Sequence, residues 1–152
     1  LWLNFRRPAV AIAMDELWKW PVFKHVVSAL GMIRYERRSA LSGLSARRLS
    51  LEQLRHHGLL LIFPQGGCVP PGEVGNWRPG VADFALATGA PVVPVGISGS
   101  EKFGRYARRF RRGQDQKTIW LRFGEPIQPA GYSADELLER IKKEVMNLAQ
   151  VP

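Results

Sequence analysis

Three histidines are the first residues to consider for acid–base chemistry, because imidazole titrates near neutral pH. His25 falls inside a predicted helix, where we expect it to be partly buried packing. His56 and His57 fall in the last turn of another predicted helix, where a cationic side chain suits the helix dipole. We therefore assign a catalytic role to none of the three.

Other catalytic patterns are incomplete or absent. The stretch G-I-S-G-S, Gly96–Ser100, approaches the serine-hydrolase pattern G-x-S-x-G but has Ser100 where the last glycine is required. Neither G-x-x-x-x-G-K-[ST] nor G-x-G-x-x-G occurs, so the sequence supports no nucleotide-phosphate loop. The single cysteine, Cys68, excludes an internal disulfide framework and a multi-cysteine metal site. We expect no bound metal and no resident cofactor.

A loop rich in Pro and Gly is the strongest candidate for ligand binding. Leu59–Phe63 is predicted to be a short, fully buried strand that ends at Pro64, which cannot donate a ladder hydrogen bond. Gly66 and Gly67 then allow the backbone to turn tightly or to approach a ligand closely. Ligands of α/β sheets bind beyond the carboxyl ends of the strands, which makes this loop a candidate site.

The rest of the chain alternates predicted strands and helices. Apolar strands separated by amphipathic helices indicate an α/β domain, with a largely parallel or mixed sheet flanked by helices. The last helix is the clearest, because Ser133 and Glu136 form a capping-box pattern ahead of an apolar stripe. We predict one domain over residues 1–152, with strands at Ala9–Met14, Met32–Glu36, Leu59–Phe63, 91–97 and 118–124.

The charge balance points to an anionic partner. The formal net charge is +9 and the pI is near 10.4, which draws the domain towards polyanions. Anionic lipid, an acidic carrier protein and nucleic acid all suit such a chain, and a solvated basic loop is the plain alternative. We disfavour nucleic acid because much of the charge lies in one loop rather than along a face with stacking aromatics. The loop arginines are Arg105, Arg108, Arg109, Arg111 and Arg112.

Four phrases in order resemble the glycerophospholipid acyltransferases, the superfamily that includes the 1-acylglycerol-3-phosphate acyltransferases. Together they extend over most of Pro8 to Ile127. The phrases are D-E-L-W-K-W-P-V-F (Asp15–Phe23), G-M-I-R-Y-E-R (Gly31–Arg37), F-P-Q-G-G (Phe63–Gly67) and Trp77–Val95. The matches are Gly31, Ile33 and Arg37 to G-x-I-F-[VI]-D-R, Phe63, Pro64 and Gly66 to F-P-E-G-T-R-S, and Arg78, Gly80 and Val93–Val95 to K-x-G-helix-V-P-V.

The resemblance implies roles for individual residues. Arg37 and Arg78 are expected to contact anions, and backbone amides of Gly66 and Gly67 are candidates to stabilise an oxyanion. The wall of the acceptor pocket is expected to comprise Phe63, Pro64, Gln65, Gly66 and Gly67.

Three departures from the family pattern alter the expected acceptor. Gln65 stands where the family has Glu, Gly67 where it has Thr, and Cys68 where it has the Arg that is thought to hold the acceptor's phosphate. A thiol cannot replace the bidentate contacts of a guanidinium. Either another arginine supplies the charge, with Arg34, Arg37 and Arg78 as candidates, or the acceptor has no phosphate there. We favour an acceptor other than a phosphomonoester.

The catalytic element of the family, H-x-x-x-x-D, does not occur in these 152 residues. In the family it lies shortly upstream of the segment that corresponds to Pro8–Met14. The chain begins with Leu1 rather than Met, so we expect a truncated sequence whose catalytic pair lies before Leu1.

The function implied by the resemblance is acyl transfer from an acyl thioester, of coenzyme A or of acyl carrier protein, to the hydroxyl of a glycerolipid or lysophospholipid. The expected location is cytoplasmic, at the cytoplasmic face of the membrane, with an anionic membrane surface as a partner and no nucleic acid. The alternative is a catalytically inactive acyltransferase-like module that binds lipid or a protein partner.

Overall fold

The computed structural model describes residues 7, 9–19, 21, 23–36, 38–67, 75–100 and 118–150. The chain divides into two compact units, Leu1–Phe63 and Pro64–Pro152. We describe each unit by itself, and the single domain inferred from the sequence stays a prediction.

The first unit is a parallel sheet with helical crossovers. Strand β1 (Ala9–Met14) is the central strand, with β2 (Ile33–Tyr35) on one side and β3 (Leu59–Leu61) on the other. The second half of β1 pairs with β2, Ile12 opposite Ile33, and its first half pairs with β3, Ala9 opposite Leu59. Because both pairs are parallel, all three strands have their carboxyl ends at one edge.

Two helical connections join these three strands. A 3₁₀ turn (Asp15–Lys19) and helix α1 (Phe23–Ala29) join β1 to β2, and helix α2 (Ala40–Arg55) joins β2 to β3. Helix α2 begins at Ser39, whose hydroxyl accepts a 3.2 Å hydrogen bond from the Ser42 amide, as an N-cap should. It contacts all three strands and buries Ala46, Ser50 and Leu51. The helix predicted to end near His56 and His57 is confirmed.

The second unit comprises two helices and an antiparallel pair of strands. Helix α3 (Gly80–Thr88) ends at Gly89, which adopts the left-handed φ of +69° that a C-terminal glycine favours. Strand β4 (Val95–Ser98) pairs antiparallel with β5 (Trp120–Phe123), and helix α4 (Ala134–Ala149) packs against both strands and α3. The core of this unit comprises Ala82, Ala85, Ile127, Leu137 and Ile141.

The predicted fold class is therefore confirmed as α/β, with three parallel strands and an antiparallel pair flanked by helices. One finer prediction is wrong. Residues Leu59–Phe63 do not form a fully buried strand, because β3 ends at Leu61 and pairs with one neighbour among the described strands, so it stays half-exposed. In β5 all four residues are at least partly exposed.

The capping box of α4 is confirmed and produces a pH-dependent contribution. Glu136 accepts hydrogen bonds from the Ser133 hydroxyl at 2.6 Å and from the Ser133 amide at 2.9 Å. These hydrogen bonds favour the ionised carboxylate, so the pKa of Glu136 lies below its ordinary value of 4.5. The stabilisation is thus fully present above pH 4.5 and is lost as the pH falls through the lowered pKa.

We predict that the Ser133→Ala substitution raises the pKa of Glu136 back towards 4.5, because it removes the hydroxyl hydrogen bond. The measurement is an NMR titration of the Glu136 side chain. Ser42→Ala, which removes a hydroxyl from the first turn of α2 instead, is the control and should leave that titration unchanged. An unaltered Glu136 pKa in Ser133→Ala would contradict the assigned cause.

Candidate functional site

The turn Pro64–Gly67 and the side chain of Arg78 lie against each other. The Arg78 amide donates a 3.0 Å hydrogen bond to the Pro64 carbonyl, which joins the two ends of the intervening loop. Gly66 has a φ of +63°, the left-handed conformation that a residue with a Cβ adopts at a cost. Gly66 and Arg78, two of the predicted substrate-binding residues, are brought together within the second unit.

The side chain of Arg78 also lies close to the position that a Cβ on Gly66 would occupy. A Cβ added to Gly66 would lie 3.1 Å from Nε of Arg78 and 3.6 Å from its Cδ and Cζ. The guanidinium therefore lies directly against the backbone of the turn. Arg78 is exposed and precedes α3, whose N-terminus carries the positive end of the helix dipole. Both features favour an anionic group in front of this turn.

The other residues of the predicted pocket wall have different surroundings. Pro64 and Gln65 are half-buried, whereas Gly67 is exposed. Phe63 belongs to the first unit and is 56% exposed, so it is not part of that unit's core. Its side chain is available to line a surface. The roles of all these residues as substrate contacts stay predictions.

A charged cluster at the carboxyl edge of the first sheet was not recognised as such from the sequence. Asp15 follows β1 directly and is 8% exposed, with its carboxylate 3.3 Å from Nζ of Lys19 and 4.0 Å from the Arg34 guanidinium. That guanidinium also lies 5.9 Å above the Trp18 ring, within cation–π distance. The available signal was the position of Asp15 at the end of a predicted strand.

Arg34, a candidate anion contact, is thus engaged by Asp15 and Trp18 in the first unit. The other candidate of that phrase, Arg37, lies outside the described residues. So does Cys68. The same is true of the basic loop with Arg105, Arg108, Arg109, Arg111 and Arg112.

The three histidines belong to α1 and to the C-terminal end of α2. His25 is exposed, which corrects the prediction that it is partly buried, since α1 buries Val27 instead. His56 caps the C-terminus of α2, and His57 follows it with a φ of +58°. His56 also lines a concavity of about 330 Å³ with Val10, Ile33 and Glu52, at the amino ends of the strands. None of the predicted site residues lines this concavity.

The comparisons with known proteins agree with the phrases and the fold. Residues 1–98, more than half of the chain, match the model of the Acyltransferase family. The chain belongs to that family.

Particular relatives are 1-acyl-sn-glycerol-3-phosphate acyltransferases. The one from Borreliella burgdorferi is 28% identical over 100 residues, which are 66% of this chain and 40% of the relative. The chloroplastic enzyme BAT2 from Brassica napus is 27% identical over 82 residues, 54% of this chain and 24% of the relative. The crystal structure of the acyltransferase PlsC from Thermotoga maritima has a TM-score of 0.69 at 26% identity, covering 99% of this chain and 59% of that one.

The chain therefore spans less than two thirds of the length of each of these relatives. No helix in the part of the chain that the structure describes has the length and hydropathy needed to cross a bilayer.

We predict that Gly66→Ala moves the Arg78 side chain as well as straining the turn. Gly131→Ala is the matched control, because Gly131 has a φ of +89° but nothing within 4 Å of an added Cβ. Each substitution should cost about 1–2 kcal/mol of stability from strain at positive φ. Only Gly66→Ala should shift the NMR resonance of the Arg78 Nε–H group. An identical spectrum for that group in both variants would show that the guanidinium does not lie against Gly66.

Proposed function

We propose that the protein that carries this chain transfers an acyl group from an acyl thioester to the hydroxyl of a glycerolipid acceptor. Family membership and the likeness to PlsC support the reaction class. The single observation that carries the proposal is the placement of the Arg78 guanidinium against Gly66, in the Phe-Pro-x-Gly turn of the family. It provides a cation at the place where the resemblance expects an acceptor.

The chemistry proposed for the whole protein is direct attack of the acceptor. A general base removes the hydroxyl proton, the oxygen attacks the thioester carbonyl, and the tetrahedral intermediate expels the thiolate. The family's H-x-x-x-x-D base is absent from these 152 residues, so the proposal concerns the protein in which this chain occurs. Backbone amides of Gly66 and Gly67 remain our candidates for stabilising the oxyanion.

The acceptor we propose is a lysophospholipid or glycerolipid without a terminal phosphomonoester. Gln65, Gly67 and Cys68 leave the turn itself without a charged side chain. Arg78 is the cation that the structure describes beside it. One guanidinium binds a singly charged phosphodiester in bidentate fashion, whereas a doubly charged monoester calls for more donors. The donor is the thioester of coenzyme A or of acyl carrier protein, and the protein acts at the cytoplasmic face of the membrane.

We predict that the Arg78→Gln substitution lowers kcat/KM for the acceptor at least about tenfold, mainly through a higher KM, because a charge-assisted contact is lost. The assay follows thiol release from acyl-coenzyme A, and from acyl carrier protein in parallel, with the protein as it is encoded. Arg140→Gln is the control, since Arg140 is ion-paired with Glu144 on the surface of α4 at 3.0 Å. Equal kinetics of the two variants would remove Arg78 from the acceptor site.

We further predict that lysophospholipids with a phosphodiester head group are better acceptors than lysophosphatidate. A panel of lysophosphatidate, lysophosphatidylglycerol and monoacylglycerol under the same assay measures the preference. A strong preference for lysophosphatidate would contradict our interpretation of Cys68. Transfer to none of the three, from either donor, would favour the alternative of an inactive binding module.

A further inference from the structure

Five of the eight exposed large apolar side chains that the structure describes in the first unit lie at one edge of its sheet, and the other three are Val26, Leu30 and Leu49. Leu41 and Leu44 lie in the first turns of α2 and are 77% and 65% exposed, more than any other large apolar side chain of the described residues. Because α2 starts where β2 ends, both leucines lie at the carboxyl edge. Three further exposed residues lie at or shortly after the ends of β1 and β3. We call the set the carboxyl rim, which comprises Met14, Leu17, Leu41, Leu44 and Phe63.

The opposite edge of the same sheet has a different character. Helix α2 ends there with Glu52, Arg55, His56 and His57, all of which are exposed. The carboxyl edge thus combines the two most exposed leucines with the Asp15–Arg34 cluster, whereas the opposite edge presents the polar end of α2.

Helix geometry places basic side chains beside the two leucines. Leu41, Leu44 and Arg48 share one face of α2, because residues at i, i+3 and i+7 lie on the same side. That face is opposite the buried Ala46 and Ser50. Arg38, just before α2, and Arg47, near its middle, are also exposed. No acidic residue occurs from Ser39 to Leu51, so the exposed face of α2 around the leucines is cationic, while Glu16 and Glu36 are exposed on the adjoining segments of the same edge.

We propose that the carboxyl rim is the surface by which this protein rests on an anionic lipid bilayer. Leu41 and Leu44 enter the boundary between head groups and acyl chains, while Arg38, Arg47 and Arg48 contact lipid phosphates. This inference rests on the proposed function. Binding through the carboxyl rim would turn the carboxyl ends of the strands towards the membrane. An acceptor lipid then enters from the bilayer without crossing water.

The size and charge of the rim favour lipid over a protein partner. A stable protein interface buries at least about 1,200 Å² in total, more than two leucines offer. A bilayer needs less, since each arginine near an anionic surface contributes about fivefold to partitioning. Full burial of a leucine contributes roughly tenfold or more. These factors give reversible association with membranes.

The test is co-sedimentation of the full protein with vesicles of phosphatidylcholine containing 30 mol% phosphatidylglycerol, at about 0.1 M salt. The double substitution Leu41→Ser/Leu44→Ser should weaken binding at least about tenfold, and Leu41→Phe/Leu44→Phe should tighten it. Arg47→Ser/Arg48→Ser should weaken binding to these vesicles while leaving the weak binding to pure phosphatidylcholine unaltered. Val26→Ser/Leu30→Ser, two exposed residues at the C-terminal end of α1, is the matched control and should bind like the wild type.

Several outcomes would overturn the inference. One is a wild-type protein that does not bind the vesicles, and another is Leu41→Ser/Leu44→Ser binding like the wild type. A variant with Ser at the five arginines of 105–112 tests the basic loop. If that variant loses vesicle binding while Leu41→Ser/Leu44→Ser keeps it, the basic loop and not the carboxyl rim binds the membrane. A change of oligomeric state in the leucine variant, without a change in vesicle binding, assigns the rim to a second copy of the chain.

Failure of the inference and failure of the proposed function are distinguishable. Leu41→Ser/Leu44→Ser should lose acyl transfer to an acceptor embedded in vesicles and keep it for a short-chain lysolipid below its micelle concentration. If the wild type transfers acyl groups and the variant is as active as the wild type on both acceptors, the rim has no role in delivering the acceptor lipid. If the rim binds vesicles but no acceptor is acylated, the surface stands and the proposed reaction fails.

Discussion

Parallel pairing of β1 with both of its neighbours is the constraint on which the first unit depends. It brings the carboxyl ends of three strands to one edge, so the segments that follow them start side by side. Asp15, in the 3₁₀ turn that follows β1, meets Arg34 of β2 for this reason. The start of α2 lies at that edge for the same reason. A buried carboxylate, a cation over an indole ring and two exposed leucines thus share one end of a small sheet because of strand direction alone.

In the second unit, glycines decide which segments can approach each other closely. A Cβ on Gly96 would overlap the backbone of Leu148 and Ala149, so α4 reaches β4 only because that position is glycine. The contact at Gly66 is less strict, because an added Cβ would lie 3.1 Å from the flexible Arg78 side chain, which can shift by a few tenths of an ångström. The hydrogen bond from the Arg78 amide to the Pro64 carbonyl holds the backbone of Arg78 beside the turn.

Much of this architecture could be predicted from local signals in the sequence. The capping box at Ser133 acts within one helical turn, and its outcome matches the prediction. Exposure was harder to predict, because it depends on what covers a residue. Phe63 and His25 lie in apolar stretches yet are exposed, since β3 has one neighbour among the described strands and α1 is short. The ion pair of Asp15 with Arg34 depends on strand register, which no local pattern encodes.

The electrostatics of the Pro64–Gly67 turn connect its unusual sequence with its proposed ligand. The turn has no charged residue, and the cation next to it comes from Arg78, which immediately precedes the N-cap of α3. The positive end of the α3 dipole adds about half a charge at most, and only within the first turn of the helix. Asp83, in that first turn, offsets part of this potential. Because residues 65, 67 and 68 are neutral, the positive charge that the structure describes beside the turn comes from Arg78 and from the start of α3, and this is the basis of the acceptor proposed above.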